Sequence, residues 1–194
     1  MKTWVIIATI SIIIWAIVPI FYRSNKHFYY FLLLAATDIT SFLINHFFHV
    51  SAQILWIPFT YFIVLTFNRD FFLKYKILIL GGLLIAILAG IYSTNIFQMY
   101  FVLISHIILF VLFSRIFISI YLNKNRIDIF YIIMVFFEAL TVFKIIAFLR
   151  QLSSGLNIYF ATNILQILIG LFLIYLSIKR KNNRNLEGNR VLFE

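Results

Sequence analysis

The sequence predicts an all-α, polytopic membrane protein: a bundle of seven transmembrane helices with the N-terminus outside and the C-terminus in the cytoplasm. Three observations carry that expectation. Of 194 residues, 64% are hydrophobic and only 11% charged. A soluble domain carries about 45–50% apolar and roughly 25% charged residues, and a chain of this size has too much surface to hide so much Ile, Leu and Phe from water. The apolar residues also fall in continuous runs of span length, not in the short alternating strands of a membrane barrel. Finally, Lys and Arg are concentrated in alternate loops, as expected when the cytoplasmic loops hold the basic residues.

A helix needs about 20 mostly apolar residues to cross the hydrocarbon. The first run, Thr3–Tyr22, follows Lys2 in the manner of a signal peptide. It is nevertheless of span length and ends in Pro19-Ile20-Phe21-Tyr22-Arg23 with no small-x-small cleavage site, so it reads as a retained helix. The second, Phe28–Phe48, contains Asp38 and Ser41. The third, Ser51–Phe67, is divided from it only around His49, Val50 and Ser51, and a re-entrant pair there would change the helix count. The fourth, Tyr75–Tyr92, places Gly82, Ala86 and Gly90 four residues apart. Residues so spaced share a face, giving a smooth surface for close packing inside the bundle or for a homodimer. The fifth, sixth and seventh are Phe97–Leu122, Asp128–Leu149 and Asn157–Ile178. Residues 1–178 thus form one transmembrane domain, and Lys179–Glu194 is a basic tail.

Charge placement fixes the expected orientation. With seven spans and the N-terminus outside, the inner face receives Arg23, Lys26, Arg69, Lys74, Lys76, Lys124, Arg126 and the tail cations, while the outer face receives Lys2 and Arg150. The net charge of +10 therefore points to a lipid bilayer and its anionic headgroups, at ~1 kcal/mol per cation near the surface, and not to nucleic acid. Lys179, Arg180, Lys181 and Arg184 are the expected headgroup contacts. Tyr22, Tyr29, Tyr30 and Tyr75 lie beside basic residues and read as interfacial anchors. The chain has no cysteine, which excludes thiol catalysis and thiolate-held metals. With no organelle-type presequence, a bacterial inner membrane is the simplest expected location.

Helices two and six each carry a midspan acid with a hydroxyl three residues later, Asp38 with Ser41 and Glu138 with Thr141. Helices three and seven align through Gln53-Ile54-Leu55-Trp56-Ile57 and Asn163-Ile164-Leu165-Gln166-Ile167. The order suggests three helices, the Gly-rich fourth as linker, and three more. This layout resembles the sugar-transporter family with a three-plus-one-plus-three arrangement and, more distantly, the rhodopsins and seven-helix receptors. The resemblance is one of topology along the whole chain. The transporters' Pro-Gln signature is absent, and the seventh helix has no lysine for a retinal chromophore, so no site is carried over.

Chemistry must come from polar residues inside the spans, which are costly there and mark ligand or proton sites. Asp38 and Glu138 fall near the centres of helices two and six, with His106 in helix five and Gln166 in helix seven at similar depth. Ser41, Thr141 and Asn163 share faces with Asp38, Glu138 and Gln166 respectively. Each could instead be interhelical hydrogen-bond glue, worth ~0.6 kcal/mol, but a carboxylate must pair or be neutralised. Arg115 and Lys144, nearer the two faces, can snorkel. Lys144 lies six residues from Glu138, roughly 240° round the helix, so no pair is expected.

Enzyme chemistry finds little support. A zinc hydrolase needs three His or carboxylate ligands, and His46 with His49 has no second His pair to complete it. The seven-helix zinc hydrolases and progestin-receptor-like proteins carry a His pair in the last helix, which here has none. Ser105 and His106 are adjacent and point about 100° apart. No catalytic residue, metal or cofactor is expected. The reading is a small or lipidic ligand at a midplane polar site, with transport or sensing as its use. The alternatives are an accessory or receptor subunit paired with another membrane protein and, third, a membrane-embedded lipid hydrolase.

Overall fold

A computed structural model describes residues 3–23, 25–47, 55–67, 76–150 and 155–191, and these are helical apart from short turns. Seven helices are present among them: α1 (Thr3–Phe21), α2 (Phe28–Phe47), α3 (Trp56–Leu65), α4 (Lys76–Tyr92), α5 (Asn95–Lys124), α6 (Ile129–Leu149) and α7 (Gly155–Val191). Three stretches are long and apolar enough to cross a membrane: Asn95–Lys124, Ile129–Leu149 and Asn157–Lys181. Val5–Phe21, Phe28–Ile44, Trp56–Leu65 and Ile79–Tyr92 are apolar but shorter. Outward faces are lined by exposed Ile, Leu and Phe, among them Ile13, Leu84, Ile104, Phe136 and Leu168. In water such a surface would drive aggregation, and in hydrocarbon it is the ordinary one. The chain is a helical membrane protein.

Local chemistry sets the helix ends. Pro19 cannot donate a backbone hydrogen bond, and α1 stops two residues beyond it, at Phe21. Thr94 caps α5 by accepting from the Phe97 N–H at 3.4 Å, and Asp128 caps α6 by accepting from the Phe130 N–H at 3.0 Å. Asn125 ends α5 in the left-handed conformation (φ 44°), which asparagine tolerates better than most residues. The helix that carries the last apolar stretch, Asn157–Lys181, does not stop with it: α7 runs on through the basic tail to Val191. That stretch contains no proline and is rich in Lys and Arg, good helix formers once out of the apolar zone. The division around His49, Val50 and Ser51 lies outside the described residues.

Packing runs in a cycle. α1 lies against α2 and α7, α2 against α3, α3 against α5, α5 against α6, and α6 against α7. α4 packs against α3, outside this cycle. Its small residues make close contacts: a Cβ at Gly82 would strike the Tyr61 phenol of α3, Ala86 is buried, and the Gly90 carbonyl accepts from Gln98 Nε2 of α5 at 2.8 Å. α1 and α7 approach closely enough that a Cβ on Gly170 would lie 2.6 Å from Ile14 Cγ2.

Each helix of the cycle turns an i, i+3/i+4, i+7 stripe inward: Trp15 and Val18 on α1, continued by Tyr22 just past its end, Phe31 and Ala35 on α2, and Met134, Phe137 and Glu138 on α6. The stripes meet in an aromatic core at the end of the cycle where the α1–α2 and α5–α6 turns lie. Trp15 sits 4.6 Å from Phe137, Tyr22 4.8 Å from Phe31, and Phe67 4.8 Å from Phe113 edge to face, centroid to centroid. We call this the tail end, since α7 leaves the bundle there.

Candidate functional site

Following the inner stripe of α6 away from the tail end, the side chains change from Phe130, Tyr131, Met134 and Phe137 to Glu138, Thr141 and Lys144. The change from apolar to polar marks the site. Glu138 is completely buried (0% exposed) and held from two sides. Tyr30 Oη of α2 donates to Glu138 Oε1, and His106 Nδ1 of α5 lies 2.7 Å from Glu138 Oε2. Three helices thereby meet at one carboxyl group, as interior burial demands of an acid that is to stay charged or share a proton.

Lys144 organises a second cluster one turn and a half further on. Its ammonium donates to Asn163 Oδ1 at 2.7 Å and to Gln166 Oε1 at 3.5 Å, and lies 4.4 Å from the centroid of the Tyr159 ring. Gln166 Nε2 in turn donates to Thr141 Oγ1 at 3.2 Å. The cation is thus solvated by amide oxygens and a π-face. Neither carboxylate of the interior contacts it: among the described residues the ion pairs are His106–Glu138 and Arg180–Asp128.

Asp38 continues the buried stripe of α2 from Phe31 and Ala35 and is itself half-buried. Ser41, one turn on, has a buried Oγ without a hydrogen-bond partner among the described residues. Serine in a helix ordinarily satisfies itself on the i−4 carbonyl, as Thr37 and Thr40 do here.

The structure brings Glu138 together with His106, Thr141 with Gln166, and Asn163 and Gln166 with Lys144; Asp38 and Ser41 lie one turn apart on α2 with no hydrogen bond between them among the described residues. Three residues are corrected. Lys144 does not snorkel to the surface but turns inward, because the amides of α7 offer it oxygens at close range. Tyr30 is no interfacial anchor. It is 1% exposed with its hydroxyl spent on Glu138, and Tyr22 is likewise buried, donating to the Leu173 carbonyl at 3.1 Å. Tyr29, pointing the other way, is exposed.

The tail end is closed by polar contacts around the aromatic core. Ser177 Oγ donates to the Phe21 carbonyl at 2.7 Å, and Arg180 pairs with Asp128 at 3.1 Å while lying over Phe130. Arg180 is thus engaged within the chain, whereas Lys179 and Lys181 are exposed, and the Arg184 side chain lies outside the described residues. His27, in the α1–α2 turn, is buried against Phe130 with Nε2 3.1 Å from Tyr131 Oη. Burial, with the positive charge of Lys26 adjacent, pushes its pKa from 6.5 down to about 4, so at neutral pH the ring is uncharged. Nothing in the sequence marks His27, a turn residue, as interior.

No family model, curated protein or solved structure matches the chain. The site must be read on its own chemistry. Among the described residues no group of three His or acidic side chains could hold a metal ion, and His46 stacks on Phe42 at the far end of α2. A groove of about 470 Å³ between α6 and α7, lined by Ile132, Phe136, Leu165, Leu168 and Phe172, is apolar and opens outward, away from the polar interior.

Proposed function

We propose that the chain is a multi-pass inner-membrane protein. Its helices form a seven-span bundle, N-terminus outside and C-terminus cytoplasmic, that binds a small ligand between the Glu138–His106 pair and the Lys144 cluster and carries it across the membrane. The observation that carries this reading is the asymmetry of the interior. A closed aromatic core lies on the tail side of Glu138, while acid, base, amide and hydroxyl groups lie on the other side. Intramembrane ionisable groups facing one another across a bundle are the usual furniture of a substrate or proton pathway. The contact cycle supports transport over passive binding: α1–α3 and α5–α7 supply its two halves, with α4 outside. That is the arrangement a three-plus-one-plus-three repeat would give, and rocking of one half against the other is a common route to alternating access.

The tail contacts suit the gate such a cycle would open. The cytoplasmic side is the tail side, where Lys26, Lys124, Arg126 and Arg180 gather. A second reading, an accessory or receptor subunit, is favoured by one feature, the exposed Leu84, Ile85, Leu88 and Ile91 of α4, which a membrane partner or second copy could cover.

Native mass spectrometry in mild detergent tests the choice. A small molecule carried by the wild type and lost in Glu138→Gln supports the interior site, whereas a second polypeptide retained by both forms supports the subunit reading. Because the chain has no cysteine, single cysteines placed at Lys181 and Arg150 report orientation. Labelling of Lys181→Cys by an impermeant maleimide from outside intact cells would reverse the topology.

A further inference from the structure

Independently of the interior polar groups, the outward groove between α6 and α7 forms a seat of defined depth. Its walls are Ile132, Ile133 and Phe136 of α6 and Leu165, Leu168 and Phe172 of α7, around about 470 Å³. All six are apolar, and Phe136, Leu168 and Phe172 are exposed outward, so the groove suits hydrocarbon and not water. The three α6 residues all lie in the tail-side half of Ile129–Leu149, so the groove leans toward the tail end.

Toward that end the same faces turn basic. Leu165, Phe172 and Lys179 are spaced by seven, which returns each to within about 20° of the same side of α7. Ile129 and Leu176 keep the stretch between groove and cation apolar, and Lys179 is exposed. Arg180 stands where the α6–α7 junction ends: its Nη2 donates to Asp128 Oδ1 at 3.1 Å and its guanidinium lies over the Phe130 ring. That is the one side-chain hydrogen bond it makes among the described residues, and the side chain is 46% exposed, so most of its five N–H donors stay available. Lys179, Arg180 and Asp128 together carry a single positive charge. Their depth is that of a headgroup. The apolar stretch Asn157–Lys181 is centred on Ile169, itself in the groove wall. Lys179 lies about 15 Å along the helix from that centre, half the hydrocarbon thickness of about 30 Å.

We infer that the groove binds an acyl chain of one anionic glycerophospholipid from the tail-side leaflet, its phosphodiester held by Lys179 and the available N–H groups of Arg180. A phosphodiester accepts the forked N–H pair of an arginine, and its one negative charge matches the single positive charge of the three side chains. A zwitterionic headgroup carries the same phosphate but sets a second, cationic group against Lys179 and Arg180, and is bound less well. The groove supplies the chain's seat and the cations the choice of headgroup.

Native mass spectrometry of the delipidated protein in mild detergent, titrated with one lipid at a time, tests this. Wild type is expected to retain one phosphatidylglycerol per chain at about fivefold lower concentration than phosphatidylcholine with the same chains. Lys179→Gln, an exposed change that leaves the bundle intact, is expected to remove that preference and leave phosphatidylcholine unaffected. Leu168→Trp, which fills the groove from a side chain already 55% exposed, is expected to weaken retention of both lipids about tenfold. Glycerophosphoglycerol, the same headgroup without chains, is expected not to be retained, and Glu138→Gln to hold the lipid as wild type does. Equal retention of the two lipids by wild type, or an unchanged preference in Lys179→Gln, overturns the inference, as does full retention in Leu168→Trp. Retention of glycerophosphoglycerol would replace the lipid by a free phosphodiester. Loss of the lipid in Glu138→Gln would move it to the interior, and no bound lipid at all would overturn the groove site while leaving the interior reading untouched.

Discussion

His106 Nδ1 and Glu138 Oε2, 32 residues apart in the chain, lie 2.7 Å from each other in the least exposed part of the molecule. Neither could be there without the other. A carboxylate transferred alone into an apolar interior is prohibitively costly, and an unpartnered imidazole gains nothing from burial. The pair therefore fixes the rotation of α5 and α6 about their axes, and Tyr30 adds the rotation of α2.

Breaking the pair from one side should be worse than removing it whole. His106→Ala leaves a buried acid uncompensated and should cost about 3–5 kcal/mol, while the double variant His106→Phe, Glu138→Leu should recover much of the loss. Thermal unfolding of the three forms in one detergent measures this. A double variant less stable than His106→Ala would mean the pair contributes net stability beyond compensating its own burial.

His27 makes the tail end sensitive to acid. Its folded pKa of about 4 lies below the unfolded 6.5, so the unfolded chain binds the proton more readily. Stability from this residue is then complete above about pH 6.5 and falls as the pH drops toward 4. His27→Gln, which keeps a hydrogen-bonding side chain beside Tyr131 and cannot titrate, should flatten the melting temperature over that window. An equally steep profile in the variant would place the acid sensitivity elsewhere.

Asp128 does two jobs that substitution can separate. Asp128→Asn keeps the cap on the Phe130 N–H and loses only the half-exposed pair with Arg180, so it should change stability by less than about 1 kcal/mol. Asp128→Ala loses the cap as well and should cost about 1 kcal/mol more. Equal melting temperatures for the two variants would show the cap to be idle.

Gly82 is required by Tyr61 and not by backbone conformation. Gly82→Ala drives a methyl group into the phenol and should destabilise by about 1–3 kcal/mol. Tyr61→Phe, which removes the nearest atom, should restore part of that. A Gly82→Ala protein that melts like wild type would place α4 further from α3 than the packing described.

Glu138, His106, Asn163 and Gln166 were legible in the sequence because polar and ionisable groups in apolar runs have few uses. The helices were legible because the runs are long and uninterrupted. Lys144 and Tyr30 were not, since a lysine stem can reach either interior or surface, and a tyrosine near a span end serves equally well at the headgroups. Their direction depends on helix rotation, which partners on other helices decide: Asn163 for Lys144 and Glu138 for Tyr30. The extent of α7 was hidden for another reason. Hydropathy reports where apolar character ends, and a helix of Lys, Arg and Asn continues past that point without any hydrophobic signal.

That continuation has a mechanical meaning. At 1.5 Å per residue, α7 is a rod of roughly 55 Å, nearly twice the hydrocarbon thickness of about 30 Å. Asn163, which holds Lys144, and Val191 lie on the same rod, about 42 Å apart. A tilt of about 5° pivoting at Asn163 would sweep Val191 through roughly 4 Å. A movement at Asn163 would then be carried along one continuous helix to Val191 as displacement.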